Sequence, residues 1–131
     1  MTIKLNTTIK NARLSLISDA ADAGTTGAKL TIYSGTRPAT GGTVTTALIT
    51  LPMQTIGFNA PSGGVMTAKA ISAVNIATSG TASWFRLTDS SNAFVCDGSV
   101  ATSGSDMTVP TTSFTAGVTL TVTSLVLTDA N

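Results

Sequence analysis

Two hydrophobic periods divide this chain. Near the start, Leu5, Ile9, Ala12, Leu16 and Ala20 recur at spacings of three and four, with Ile17 beside them. That spacing lines one stripe of a helix. It predicts a helix over about residues 7–23, with Asn6, Thr7 or Thr8 as N-cap and Gly24 ending it in a left-handed conformation. Lys10 and Arg13 fall off the stripe. Residues 24–27, Gly-Thr-Thr-Gly, read as a turn. The chain therefore divides into an N-terminal helical segment, residues 1–24, and a β domain, residues 25–131.

Beyond the turn the period becomes two. In residues 29–34, Leu30 and Ile32 alternate with Thr31 and Tyr33. Short strands follow over residues 47–51, 65–77 (one or two), 82–88, 93–101 and 107–109. Pro52, Pro61 and Pro110 and several Gly and Asn positions punctuate them. Asp89-Ser90-Ser91-Asn92 reads as a hairpin loop, and Gly98 as a bulge in the returning strand. The last strand, residues 118–128, is expected to be the longest. Its apolar phase changes between Val122 and Leu125, which predicts an irregularity at Thr123-Ser124. Strands at this spacing predict a mainly β fold, an antiparallel sandwich or barrel, with one N-terminal helix. Leu30, Ile32, Phe85, Leu87, Leu120 and Val122 form the expected core. Trp84 and Arg86 lie on the opposite face of their strand. There Trp84 either covers the sheet or meets a partner, and Arg86 needs a partner or solvent, with stacking on Trp84 one solution.

Composition narrows the chemistry. The chain has 26 Thr and 14 Ser among 131 residues, but no His and no Glu. β-Branched Thr suits a pleated sheet. Without His, the Ser-His and Cys-His nucleophile pairs and His-based zinc sites are excluded. All six acids are Asp. Asp89, Asp97 and Asp106 are too widely spaced for a calcium loop. Asp89 and Asp106 read as turn residues, and nothing places two carboxyls in one cleft as a glycosidase needs. Residues 24–29 lack the spacing of a phosphate loop. No catalytic residue, cofactor or metal ligand is expected.

Net charge is +1, and the seven bases are scattered, so no nucleic-acid surface is expected. No apolar run is long enough for a membrane helix, and no signal peptide is expected. Asn6-Thr7-Thr8 matches a glycosylation sequon by chance. Cys96 is the single cysteine and reads as a buried thiol. Only 10% of residues are charged, so little keeps strand edges of different chains apart. Edge pairing between copies is therefore expected.

Five stretches share an order and wording with a known group. They are NARL at residues 11–14, LTIYSGTRP at 30–38, GTASWFRLTDSSNAFVCDGSV at 80–100, SGSDMTV at 103–109 and FTAGVTLTVTSLVLT at 114–128. Together the chain resembles small structural proteins of tailed bacteriophages and prophages, similar to capsid decoration (cement) proteins. The resemblance implies a non-enzymatic virion component on the capsid exterior, made in the host cytoplasm. Its implied partners are the major capsid protein and itself, as a homotrimer. Alternatives are a tail, baseplate or fibre-associated module, or a cell-surface or carbohydrate-binding β module. The helical segment and the loop over residues 35–46 are least committed to the β core. Lys4, Leu5, Ile9, Arg13, Arg37, Trp84 and Arg86 are therefore the candidate partner contacts.

Overall fold

The computed structural model describes residues 3–130. The expected helical segment also includes Met1 and Thr2, and the β domain includes Asn131; those three lie outside the described residues. One helix, α1 (Thr7–Ala21), precedes eleven strands. These are β1 (Lys29–Tyr33), β2 (Ala47–Pro52), β3 (Val65–Thr67), β4 (Val74–Asn75), β5 (Gly80–Thr81), β6 (Trp84–Thr88), β7 (Phe94–Ala101), β8 (Met107–Thr108), β9 (Ser113–Phe114), β10 (Thr119–Leu120) and β11 (Ser124–Thr128). The fold is mainly β with one helix near the N-terminus, as the two periods predict.

Seven strands form one sheet in the order β2–β1–β6–β7–β8–β11–β3. Two ribbons, β4 with β10 and β5 with β9, add Leu120 and Phe114 to the same core, giving a sandwich- or barrel-like layering. Leu30, Ile32, Phe85, Leu87 and Leu120 are buried, and Val122 packs half-buried at the core's edge. Leu48, Leu51, Met66, Met107 and Leu125 complete the interior. A fully buried side chain of this size contributes roughly 1.5–3 kcal/mol.

The pairings are antiparallel except that of β7 with β8. Parallel neighbours ordinarily need a connection of about a dozen residues or more. Here residues 102–106 suffice, because the loop is tied back to the strand it leaves. The Asp106 carboxylate accepts from the Ser99 backbone N–H at 2.9 Å and from the Ser99 hydroxyl at 3.0 Å. The Asp106 N–H in turn donates to the Ser99 hydroxyl oxygen at 3.1 Å.

Three expectations change. The final stretch is not one strand: β10 pairs with β4, and β11 pairs with β8 and β3. The phase change at Thr123-Ser124 marks where the chain passes from one partner to the next. Gly98 is no bulge, since it pairs in register with Phe85; the irregularity of this hairpin falls between Leu87 and Thr88. The sheet edges are also partly occupied. On β2, Leu48 O accepts from the N–H groups of Ala77 and Thr78 at 3.0 and 3.1 Å, and Pro52 has no N–H to offer. On β3, Thr67 O accepts from Asn59 N–H at 2.9 Å, and Val65 exchanges bonds with Ser62. The β3 edge is thereby filled, whereas on β2 the outward N–H and C=O of Thr50 keep a short length open to strand addition.

The helix begins as predicted, with Asn6 Oδ1 accepting from Ile9 N–H at 2.9 Å. It ends at Ala21 with Asp22 as C-cap, two residues earlier than expected; Gly24 takes a positive φ of 121° in the turn beyond. Its orientation differs from the apolar stripe. Leu14 and Ala21 are buried and Ile17 is half-buried, while Ile9, Ala12, Leu16 and Ala20 face outward. Polar bonds fix this rotation. Asn11 Oδ1 accepts from Gly64 N–H at 2.9 Å, and Asp22 Oδ1 from Gly57 N–H at 3.0 Å. Rolling the helix to bury its stripe would leave those two N–H groups without partners, at about 1–3 kcal/mol each if they stayed buried.

Candidate interaction surface

The face of the sheet away from the core is closed by side chains of its own. Tyr33 and Trp84 pair in register, and their rings stack 4.3 Å apart at 15°. Trp84 is only 1% exposed. Its indole N–H donates to Thr45 Oγ1 at 3.0 Å, and the Thr45 hydroxyl donates to Ser34 O. The loop over residues 34–46 is thereby strapped across the ring.

Next on β6, Arg86 lies directly opposite Asp97 of β7. Its Nε donates to Asp97 Oδ1 at 2.7 Å and its Nη2 to Oδ2 at 2.9 Å. The guanidinium sits 5.5 Å from the Trp84 ring centre and 4.9 Å from that of Phe94, an arginine between two aromatic faces. Side-chain exposure is 12% for Arg86 and 7% for Asp97. The hydrogen bonds to Asp97 hold the guanidinium proton more firmly than usual, against the opposing effect of burial. Trp84 is therefore covered by its own chain, and the half-buried Arg86 has its partner within it. Each is committed inside the chain.

The other candidates remain on the surface. Lys4 is exposed, Leu5 half-buried and Ile9 45% exposed. Ile3 and Leu16, absent from the sequence-based set, are more open still, at 71% and 68%. Arg13 bonds Asp129 at 3.2 Å, its side chain 49% exposed. Arg37 is exposed and lines a groove of about 440 Å³ between its loop and β7, with Pro38, Phe94 and Asp97.

A larger groove, about 550 Å³, runs between α1 and strands β7 and β11. Leu14, Leu16, Ile17, Cys96 and Leu127 give it apolar walls; Asp97, Asp106 and Asp129 give it acidic ones. Asp97 is matched by Arg86 and Asp129 by Arg13. Asp106 is held by Ser99 and forms no ion pair among the described residues. Burial, and then the charges of Asp97 and Asp106, push the Cys96 thiol up to about 11. It is a poor nucleophile at neutral pH.

Asp89 does what its turn predicts, accepting from Ser91 and Ala93 N–H at 2.8 and 2.9 Å. Among the described residues no three His, Cys, Asp or Glu side chains converge as a metal would require, and no helix is long and apolar enough to cross a membrane. No family model, curated protein or solved structure matches this chain.

Proposed function

We propose that this protein is a non-enzymatic structural component of a phage virion, a decoration protein that bridges major capsid subunits from outside the head. The observation that carries the reading is the outward face of α1. A helix that could have buried Ile9, Ala12, Leu16 and Ala20 presents them to solvent, and the exposed Ile3 precedes them. Apolar area held outward by specific polar bonds is suited to a protein surface. The likeness of residues 30–38, 80–100 and 114–128 to small phage structural proteins supplies the class of partner. Contacts of modest size, repeated over a symmetric shell, add to strong retention.

Purified protein added to undecorated heads tests this reading. Binding at symmetric surface positions and greater heat resistance of the heads are expected. Deleting the whole helix would uncover the face beneath Leu14, so Ile9→Asp with Leu16→Asp is the better variant. It should abolish head binding while its melting temperature stays within a few degrees of the parent. Immunogold label confined to the tails of intact virions would instead favour the tail-associated reading.

A further inference from the structure

Leu16 belongs to two surfaces at once. It is one of the apolar residues that α1 turns outward, and with Ile17 and Leu127 it also walls the groove of about 550 Å³ between α1, β7 and β11. The groove is therefore continuous with the face proposed for the capsid contact. A partner laid on that face meets the groove's walls as well.

The polar side of the groove selects what can cover it. Three carboxylates line it, those of Asp97, Asp106 and Asp129. Arg86 holds Asp97 through two nitrogens, and Arg13 meets Asp129 at 3.2 Å. Asp106 has no cation among the described residues. Its Oδ2 accepts from the Ser99 N–H and hydroxyl, while its Oδ1 takes no hydrogen bond among the described residues and is not sealed from solvent. Water serves such an oxygen as long as the groove is open. A segment that covers the apolar walls takes Asp106 out of water too, and an ionised carboxylate buried without a match is costly. Asp97 and Asp129 already have their cations, so one positive group is what the covered groove would lack.

We infer that the segment of the capsid protein seated here is apolar and carries a lysine or arginine whose cation meets Asp106. The inference rests on the decoration reading and names the chemistry of the partner at that contact. The segment's apolar side chains lie on Leu16, Ile17 and Leu127, and its cation closes on Asp106 Oδ1. A wholly apolar segment would leave the carboxylate unmatched and an acidic one would repel it, so the groove discriminates against both.

Asp106→Asn keeps an acceptor for Ser99 and removes the charge. Its binding to undecorated heads is measured beside that of the parent at several salt concentrations, with melting temperatures to check folding. A loss of about tenfold in affinity is expected at low salt. The salt dependence should also flatten, because one charge pair is gone. Equal affinity and equal salt dependence would overturn the inference and leave the decoration reading intact. A loss of affinity that keeps the parent's full salt dependence would also overturn it, because the cause would then be a loosened loop over residues 102–106. Lys4→Gln tests for a cation from the same chain. If it reproduces the effect, and Asp106→Asn adds nothing to it, the chain's own Lys4 is the match for Asp106 and the inference falls. Parent protein that does not bind heads at all would remove the decoration reading, and this inference with it.

Discussion

Gly98 lies directly across the β6–β7 pair from Phe85, and the phenyl ring occupies the space where a side chain at position 98 would stand. A Cβ there would come within 2.4 Å of Cε1 and 2.5 Å of Cζ of Phe85. An aromatic ring laid over a cross-strand glycine covers backbone that the glycine leaves bare. Gly98→Ala should therefore cost about 1–3 kcal/mol by overpacking. Phe85→Ala should cost roughly 3–5 kcal/mol by leaving a cavity. Combined with Phe85→Leu, Gly98→Ala should cost less than it does alone. Denaturant melts of the variants would decide the matter, and strictly additive losses would show that ring and glycine do not compete for one space.

Leu14 and Leu16 differ by two positions on one helix and should differ in their effect on stability. Leu14→Ala should lose about 2–5 kcal/mol, the usual range for a buried leucine. Leu16→Ala should stay within about 0.5 kcal/mol, as exposed positions do. Equal losses in urea would mean that the helix is rotated relative to this account.

Arg86 and Asp97 form one unit. Removing either partner leaves the other half-buried without its match, so each single alanine variant should cost about 1–3 kcal/mol. The double variant should cost clearly less than the sum of the two. Additivity in a double-mutant cycle would show the pair to be uncoupled.

Alkaline pH should weaken the fold through Cys96. Its thiol is raised from 9.0 to about 11 in the folded chain, so the folded state holds this proton more tightly than the unfolded state does. The corresponding stability is present below about pH 9 and is lost as pH rises to about 11, a total of roughly 2–3 kcal/mol. Cys96→Ala should flatten that part of the profile. Urea midpoints measured across the range for both proteins would test it, and parallel curves would refute it.

Asn92 carries a positive φ of 69° in the β6–β7 turn. Asn92→Ala should cost about 1 kcal/mol, whereas Asn92→Gly should be close to neutral. Its amide oxygen also accepts from Lys29 Nζ at 3.0 Å, an exposed bond that adds little. Thermal melts in which glycine is the worse of the two would contradict the backbone argument.

Much of the β domain was legible because alternation is a local property. Leu30 with Ile32 and Phe85 with Leu87 declare their face within a few residues. The Arg86–Asp97 pair was not legible, for a definite reason. Counting back from a four-residue loop places Val95 opposite Arg86; the connection is one residue longer, so that Thr88 faces Phe94, and the register shift between Leu87 and Thr88 adds a second residue and brings Asp97 there instead. The helix's position was hidden differently. Its apolar stripe marks the face turned outward, and the anchors of the inner face, Gly57 and Gly64, lie far away in sequence. The short ribbons β5 with β9 and β4 with β10 have too few residues for any period to show.

The docking of α1 also sets an order of events during synthesis. Its helix leaves the ribosome before the strands, yet the surface it covers includes Leu127 and Asp129, made more than a hundred residues later. Until those further residues have been made, Leu14 has no complete seat and Arg13 has no Asp129 to meet. The nascent chain thus carries a helix that is apolar on its outward stripe and temporarily uncovered on its inner one. Elongation at about 5–20 residues per second makes that interval several seconds long. In that interval the growing polypeptide is most open to chaperones and to its neighbours on the same message. Among the described elements α1 is made before all the strands, yet it is locked in place only when β11 and Asp129 follow.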